Sequence, residues 1–384
     1  MKKIIKKTVA LLMSVLMILV PLSVSAEEAA ELPFDVNAKS AVLMDVETGT
    51  VLYNKNGNEA LPPASVTKVM TLLLIMEAID GGVFSLDDPV SVSEYAASMG
   101  GSQVYLEPGE QMSVEEMLKC VIIASANDAA VALAEKVSGS VDAFVQRMNQ
   151  RAAELGMNNT HFENPTGLDD DVTNHTISAM DIAIMSRELL HHEKVLEYSG
   201  IWMDSIRNGE FGLTNTNRLI RFYNGATGLK TGSTSKAGFC ISATAKRDGM
   251  HLIAVIMGSA TRDERNNAAK TLLDYGFSKY CVYTDEGGDA GEVKVNGGIK
   301  NSVKAKYSGV TKLLPAGKKN GVTTEIVLDS AVSAPVKLGQ KLGTVKYTLD
   351  GEVIAETDAV AAEDVPRIGY FRLLYRMLCR FILA

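Results

Sequence analysis

Cysteine and histidine are both scarce: the 384-residue chain has four cysteines and five histidines. The irregular spacing of the cysteines excludes a disulfide framework and a zinc-ligand pattern, since they fall at Cys120, Cys240, Cys281 and Cys379. Cys120 and Cys240 lie in apolar runs and are predicted to be buried thiols. The chain has no H-E-x-x-H motif, and 191–193 (His-His-Glu) is typical of a solvated helix end. The sequence therefore predicts neither a metal nor a cofactor.

Two further absences narrow the class of function. Acidic residues outnumber basic ones, which gives a formal net charge of −8. The sequence therefore does not indicate a nucleic-acid partner. No G-x-S-x-G turn occurs, which argues against a Ser-His-Asp hydrolase of the α/β type.

The first 26 residues have the pattern of a secretory signal. A basic region holds four lysines, an apolar stretch runs from Val9 to Val20, and Val24-Ser25-Ala26 is a small-residue cleavage site. The alternative is a single membrane anchor that stays attached, but the apolar stretch is short. We therefore expect an exported chain that loses residues 1–26 and is then more acidic.

Strand and helix patterns indicate a first domain over residues 27–283. Alternating apolar residues predict strands, and capping signals predict helices between them. The predicted strands are Ala38–Asp45, Thr50–Tyr53, Gly238–Lys246 and Met250–Met257, and the predicted helices start at Ser65, Val114, Ala129, Ser178 and Arg262. Strands at both ends with helices between them predict an α+β domain whose antiparallel sheet is covered by helices.

Two different segments follow this domain. Residues 284–365 are rich in Val, Lys, Thr and Gly with short alternating runs, which predicts a small β-sandwich-like module without chemistry of its own. Residues 366–384 contain no acid, and Arg372, Arg376 and Arg380 share one helical face among bulky apolar residues. This segment is too short and charged to span a bilayer comfortably, and we predict an amphipathic helix on the membrane surface. A helix packed on the protein or on a partner is the alternative.

Ser65 and Lys68 are the strongest candidates for chemistry. They lie three positions apart, so on a helix they share one face, and the following run from Val69 to Met76 is apolar nearly all round, as in a buried helix. A hydroxyl at the mouth of such a helix, one turn from an amine, can act as a nucleophile beside its base. A lone Ser-x-x-Lys is nevertheless common.

Two further motifs make the pattern specific. Ser125-x-Asn127 and Lys230-Thr231-Gly232 follow Ser65-x-x-Lys68 in the order of the penicillin-interacting serine enzymes. The surrounding residues resemble the low-molecular-mass D-alanyl-D-alanine carboxypeptidases in four segments, namely 63–71, 124–129, 156–168 and 228–234. The β module and terminal helix are similar to that family too. The resemblance implies a β-lactamase/transpeptidase-like fold, with helices on both faces of the sheet and an all-helical cluster.

The resemblance also implies roles for the catalytic residues. Ser65 would attack the carbonyl between the two D-alanines of a peptidoglycan stem peptide, and Lys68 would accept its proton. Burial and repulsion from Lys230 are expected to lower the pKa of Lys68 and keep it neutral. Ser125 would relay a proton to the leaving D-alanine, and Asn127 would orient the substrate amide and Lys68.

The remaining site residues implied by the resemblance bind the substrate. Lys230 and Thr231 would hold its terminal carboxylate, helped by Arg265, for which Arg262 is an alternative. Gly232 would let the strand edge lie close to the substrate. The backbone N–H groups of Ser65 and Ser233 would bind the oxyanion.

The predicted function is therefore a serine-type D-alanyl-D-alanine carboxypeptidase that β-lactam antibiotics inhibit covalently. Its predicted location is the outer face of the cytoplasmic membrane. Three alternatives stay open: a class A β-lactamase with Glu154 as its water-activating residue, an endopeptidase on cross-linked peptidoglycan, and a non-catalytic penicillin-binding module.

Overall fold

The computed structural model describes residues 34–170 and 172–382, apart from the side chains at 376, 377 and 380–382. The predicted signal over residues 1–26 lies outside the described residues.

The first domain alternates helices with short and long strands. Its strands are β1 Ser40–Asp45, β2 Val51–Lys55, β3 Ala60–Leu61, β4 Pro89–Ser91, β5 Gln111–Ser113, β6 Ile177–Ser178, β7 Met203–Ile206, β8 Phe211–Thr214, β9 Ala226–Thr234, β10 Gly238–Arg247 and β11 Met250–Ser259. Its helices are α1 Lys68–Asp80, α2 Glu94–Ala97, α3 Val114–Ile123, α4 Asn127–Ser138, α5 Val141–Glu154, α6 Ala179–Leu189, α7 Glu193–Ser199, α8 Leu219–Phe222 and α9 Arg262–Lys279.

A five-stranded antiparallel sheet organises this domain, with the order β2-β1-β11-β10-β9. Every residue of β1 is buried and β11 is buried almost throughout, so both faces of the sheet are covered. Helices α6 and α9 both pack on these strands. The predicted α+β sheet with helices on both faces is confirmed.

The buried helix predicted after Ser65 is confirmed, but it begins differently. Residues Ala64–Thr67 form a 3-10 turn, and the α-helix starts only at Lys68. Ala64 has a positive φ of 49°, so the chain bends sharply just before Ser65. Helix α1 is buried on all sides up to Met76, as its apolar sequence predicts.

Other elements of the first domain depart from the sequence prediction. Helix α5 was not predicted, although Ser140 caps it through the Ala143 N–H at 3.2 Å and Phe144 and Met148 bury one face. Helix α9 starts at Arg262 as predicted and runs to Lys279, where the next strand starts at once. Because Leu272, Leu273 and Gly276 are buried against the domain, the last turn is held in helical form.

The β module follows α9 without a linker. Its strands are β12 Tyr280–Asn296, β13 Ser302–Pro315, β14 Thr323–Leu328, β15 Ala331–Ser333, β16 Lys341–Leu349 and β17 Glu352–Ala361. They are hydrogen-bonded in the order β14-β16-β17-β13-β12-β15, and the predicted all-β module is confirmed. Strands β12 and β13 are long, and their register shifts at 289–291. The predicted boundary at residue 284 falls inside β12.

Helix α10, Tyr370–Ile382, follows the module. Its described side chains are largely exposed, including Tyr370, Phe371, Arg372 and Leu378. The predicted alignment of three arginines involves Arg376 and Arg380, whose side chains lie outside the described set. In the described part of the chain, no helix has the length and apolar character needed to cross a bilayer.

Candidate active site

Lys68 is the centre of the hydrogen-bond network around Ser65. Its Nζ lies 3.0 Å from Ser65 Oγ, 2.5 Å from Asn127 Oδ1 and 2.9 Å from the carbonyl oxygen of Thr166. The last two atoms can only accept hydrogen bonds, whereas a hydroxyl can also donate. A neutral amine has two N–H groups for these acceptors and a lone pair left over for the Ser65 hydroxyl. The geometry therefore suits a neutral Lys68 that accepts a proton from Ser65.

The electrostatic surroundings of Lys68 favour that neutral form. The side chain is fully buried, and burial lowers its pKa well below 10.5, with further lowering by the positive charge of Lys230. The carboxylate of Asp128 acts in the opposite direction as a weaker influence. The predicted causes of the lowered pKa are confirmed, with burial the larger one.

The loop between α5 and β6 fixes the third contact of Lys68. Asn164 Oδ1 accepts hydrogen bonds from the N–H groups of Thr166 and Gly167, and Thr71 Oγ1 donates to the Pro165 carbonyl at 2.6 Å. Gly167 has a φ of 81°, and a Cβ there would lie 1.9 Å from the carbonyl oxygen of Ala64. Only glycine lets this loop lie so close to the Ser65 turn.

A buried histidine ties the same loop to the Ser65 turn. His175 Nδ1 accepts from the Glu163 N–H at 3.0 Å, so its Nε2–H donates to Thr67 Oγ1 at 2.8 Å. Burial lowers the pKa of His175 to about 4, which keeps this tautomer neutral near pH 7.

Ser125 and Asn127 lie where α3 passes into α4. Ser125 adopts a left-handed backbone conformation with φ 63°, which is strained for serine and turns its side chain into the cleft that Ser65 lines. Asn127 Nδ2 donates to the Gly100 carbonyl at 2.7 Å, so its Oδ1 is left to accept from Lys68. Lys68 thus contacts Ser65 and Asn127, and Ser125 faces the same space.

Strand β9 places the motif Lys230-Thr231-Gly232 against the turn that holds Ser65. Lys230 is buried, and its Nζ donates to the Thr231 carbonyl at 3.1 Å. A Cβ on Gly232 would lie 2.8 Å from the Pro63 carbonyl oxygen and 2.8 Å from the Ser65 nitrogen. The glycine is therefore required for close packing of β9 on the turn itself, whereas the sequence had predicted a role in the approach of substrate.

Arg265 rather than Arg262 is the arginine that α9 buries beside the cleft. Its Nε and one Nη donate to Asn266 Oδ1 at 3.1 and 2.9 Å. Burial lowers the pKa of Arg265 to about 10. Burial also lowers the pKa of Lys230 to about 7, with a smaller contribution from the positive charge of Arg265. Arg262 also lines the cleft but is exposed.

These elements enclose a cleft of about 610 Å³. Ser65 and Ser125 lie in it together with Thr231, Gly232 and Ser233, and its other lining residues are Ser102, Trp202, Thr214, Asn215, Thr216, Arg218, Phe222, Arg262 and Arg265. Among the described residues, the cleft is lined by hydroxyls and cations but by no carboxylate. Within residues 34–170 and 172–382, no cluster of three or more His, Cys, Asp or Glu could hold a metal ion.

The chain matches known families over most of its length. Residues 25–261 match the D-alanyl-D-alanine carboxypeptidase family, and residues 282–367 match the C-terminal domain of penicillin-binding protein 5. The D-alanyl-D-alanine carboxypeptidase DacF of Bacillus subtilis is 47% identical over 348 residues, which cover 89% of each chain. This chain belongs to the D-alanyl-D-alanine carboxypeptidase family.

Solved structures of this carboxypeptidase family agree with the fold. Penicillin-binding protein 5 from Haemophilus influenzae is 33% identical with a TM-score of 0.75, covering 88% of this chain and 99% of its own. Penicillin-binding protein D2 from Listeria monocytogenes, in its ampicillin-bound form, is 31% identical with a TM-score of 0.59, covering 64% of this chain and 100% of its own. The recognition made from the three motifs is confirmed.

The position of Glu154 argues against the β-lactamase alternative. A class A β-lactamase needs a glutamate beside its serine to activate water. Glu154 instead ends α5, pairs with Arg151 at 3.4 Å and lines a separate pocket with Glu77 and Leu74. Glu154 is not among the residues that line the cleft of Ser65.

Sequence reasoning missed several contributors to this carboxypeptidase site. The Thr166 and Gly100 carbonyls position Lys68 and Asn127, and Thr231 Oγ1 donates to Thr216 Oγ1 at 2.8 Å. The run Asn164 to Leu168 was noted as family-like, but its carbonyl contact had no sequence signal because it depends on backbone atoms. The cleft wall around Arg218 was also not anticipated.

Proposed function

We propose that this chain removes the terminal D-alanine from peptidoglycan stem pentapeptides through an acyl-enzyme on Ser65. The observation that carries the proposal is the Lys68 amine, held by two obligate acceptors so that its lone pair faces Ser65 Oγ at 3.0 Å. Proton transfer by such a base contributes about 10²–10⁴-fold to rate.

Acylation begins when Ser65 Oγ attacks the carbonyl carbon of the penultimate D-alanine. The hydroxyl proton passes to Lys68 Nζ, and the carbonyl oxygen becomes an oxyanion, which the backbone N–H groups of Ser65 and Ser233 bind. Collapse of the tetrahedral intermediate breaks the amide bond. The departing amine takes a proton that originates on Lys68 and passes through Ser125, and Lys68 is neutral again.

Hydrolysis of the acyl-enzyme repeats these steps with water as nucleophile. Lys68 accepts a proton from the water and returns it to Ser65 Oγ as the ester bond breaks, so the shortened peptide leaves and both side chains are restored. A β-lactam ring contains an amide that acylates the same serine, but its leaving group stays tethered. Antibiotics of this class are thus covalent inhibitors, in line with the ampicillin-bound Listeria relative.

Lys230, Thr231 and Arg265 bind the terminal carboxylate in this scheme. Their side chains lie at or beneath the cleft that Ser65 lines, and the two cations are buried, where attraction to an anion is strong. This arrangement selects peptides with a free carboxylate directly after the scissile bond.

The lowered pKa of Lys230 predicts a pH dependence of substrate binding. With a pKa of about 7, Lys230 is an ammonium below pH 7 and loses its charge as the pH rises. We expect KM for the pentapeptide to rise about tenfold between roughly pH 6 and pH 9, since a hydrogen bond to a charged group is lost. Lys230→Arg keeps the charge and should flatten this profile. An equally steep profile in the variant would contradict the assignment.

We also propose that the protein acts on the outer face of the cytoplasmic membrane, where its substrate lies. The signal-like pattern over residues 1–26 supports export. The exposed aromatic and leucine side chains of α10, together with exposed Arg372, support binding to a lipid surface with anionic headgroups.

Vesicle sedimentation tests the membrane proposal. A chain of residues 27–384 should sediment with vesicles that contain phosphatidylglycerol. It should sediment less with phosphatidylcholine vesicles, because their headgroups carry no net negative charge to attract the basic residues of α10. A chain ending at residue 366 should stay in solution with unchanged activity on soluble peptide. Equal sedimentation of both chains would contradict a membrane role for α10.

The acyl-enzyme itself is tested by mapping the site of penicillin attachment. After brief reaction and proteolysis, mass spectrometry should find the adduct on the peptide that contains Ser65. An adduct elsewhere, or none on folded protein, would overturn the proposed mechanism.

A further inference from the structure

The proposed reaction gives the cleft a direction along strand β9. The terminal carboxylate of the substrate lies at Lys230 and Thr231, and its scissile carbonyl lies at the N–H group of Ser233. The residues of an extended peptide and of a strand both advance by about 3.3 Å. The stem residues that precede the scissile bond therefore lie beyond Ser233, beside Thr234 and the turn into β10. We call this end, formed by residues 233–237, the acyl end of the cleft.

A carboxylate from another loop borders the acyl end. Asp169 Oδ2 accepts a hydrogen bond from Thr234 Oγ1 at 2.5 Å. The same Thr234 oxygen accepts from the Ala237 N–H at 3.0 Å, which closes the turn between β9 and β10. The side chain of Asp169 is only partly buried. The carboxylate is thus held beside the neighbour of Ser233, where the substrate passes.

The carboxylate of Asp169 has capacity left for a ligand. A carboxylate can accept about four hydrogen bonds, and among the described residues only Thr234 donates to it. Lys236 Nζ donates to the backbone carbonyl of Asp169 instead, and in the described part of the chain no cationic side chain forms an ion pair with the carboxylate. Its negative charge is therefore available to a cationic group of a substrate.

The loop that carries Asp169 is held in place. Asn164 Nδ2 donates to the Leu168 carbonyl at 2.8 Å, and Lys236 binds the next carbonyl, that of Asp169. A Cβ on Gly101 would lie 3.3 Å from Leu168 Cδ2, so the loop also touches the segment on its other side. Because this backbone is already ordered, a ligand that binds Asp169 meets a preformed contact and little binding energy is lost in ordering the loop.

The two ends of the cleft carry charges of opposite sign. Lys230 and Arg265 are buried at the end that binds the carboxylate. Among the described residues no carboxylate lines the cleft itself, so Asp169 is the acid that borders its acyl end. A complementary substrate has an anion at its C-terminus and a cation on a side chain shortly before the scissile bond.

We propose that Asp169 determines specificity by binding an ammonium group on the side chain of the residue before D-alanyl-D-alanine. A diamino acid at this position places its amine at the end of an aliphatic chain, which can extend past Thr234 to Asp169. The contact requires a free amine, because an amide nitrogen carries no charge. The enzyme therefore prefers stem peptides whose side-chain amine has not been used in a cross-link. This inference rests on the proposed acyl-enzyme chemistry.

Two soluble peptides test this specificity. They are Nα-acetyl-L-lysyl-D-alanyl-D-alanine and its Nα,Nε-diacetyl form, which differ only in acetylation of the side-chain amine. Wild type should release D-alanine from both, with kcat/KM about fivefold higher for the free amine, mainly through a lower KM, as expected for a partly exposed ion pair. About 1 M salt should reduce this preference, because it screens exposed charges.

Three variants separate charge from structure. Asp169→Asn removes the charge but keeps an oxygen that can accept from Thr234, so it should abolish the preference by raising KM for the free-amine peptide alone. Asp169→Glu keeps the charge and should keep the preference. Asp170→Asn, the matched control, removes the adjacent exposed acid and should change the preference less than twofold.

The possible failures are distinguishable. An equal loss for both peptides in Asp169→Asn would show that Asp169 has a structural role only, which would overturn the proposed contact. Wild type without a preference, or a preference that only Asp170→Asn removes, would overturn it as well, and each of these results leaves the carboxypeptidase activity intact. No release of D-alanine from either peptide by folded wild type would instead contradict the proposed function.

Discussion

Replacing Lys68 by methionine is expected to slow acylation of Ser65 by about 10²–10⁴-fold, the usual contribution of a positioned base. Methionine keeps an unbranched stem of similar size but has no group that can accept the Ser65 proton. The measurement is the rate of covalent labelling by a fluorescent penicillin, which reports acylation alone. A labelling rate within threefold of wild type would rule out Lys68 as the base.

A second variant separates proton transfer from charge. Lys68→Arg places a guanidinium in the same region, and because a guanidinium stays protonated it cannot accept a proton. If Lys68 acts as a neutral base, both variants should be similarly slow. If it acted only through positive charge, the arginine variant would retain most of the rate. Thermal unfolding of each variant establishes that the protein is folded.

Replacing Gly167 by alanine should slow acylation nearly as much as the Lys68 substitutions, although glycine has no side chain that could take part in the chemistry. The new Cβ would lie 1.9 Å from the Ala64 carbonyl oxygen, and φ at this position is 81°. The loop must move, and the Thr166 carbonyl, which holds Lys68 at 2.9 Å, moves with it. We expect about 10²-fold slower acylation, since displacements near 1 Å have such effects, and a loss of about 2–5 kcal/mol in the free energy of unfolding.

Gly156 provides the matched control for this prediction. It precedes Gly167 in the same loop with a similar φ of 73°, but no atom lies within 4 Å of the position that a Cβ would take there. Gly156→Ala should therefore cost only the backbone strain, about 1–2 kcal/mol, and leave the rate of penicillin labelling unchanged. Equal effects of the two substitutions on labelling would show that the close contact with Ala64 does not matter.

The proposed catalytic and substrate-binding residues could be recognised in the sequence because their side chains form short motifs. Ser65 with Lys68, Ser125 with Asn127, and Lys230 with Thr231 each lie within a few positions, and their order along the chain identifies the family. The antiparallel sheet was predictable from the alternating apolar residues of Gly238–Lys246 and Met250–Met257. The buried helix was predictable from its apolar run.

The supporting contacts could not be predicted, because they depend on atoms that every residue has. The Thr166 carbonyl lies 98 positions from Lys68 in the chain, and nothing in a threonine side chain marks its backbone oxygen as a ligand. Gly232 was recognised, but the surface it approaches became clear only in three dimensions. Arg218 looked like any other surface cation until the fold placed it beside Trp202 in the cleft.

The most direct test of the central claim is release of free D-alanine from a soluble pentapeptide ending in D-Ala-D-Ala. Wild type should release one D-alanine for each peptide, and Ser65→Ala, correctly folded, should release none above background. Loss of release in this single-atom variant would establish Ser65 as the nucleophile. Undiminished release by Ser65→Ala would contradict the account, because the acyl-enzyme could then not form on this residue.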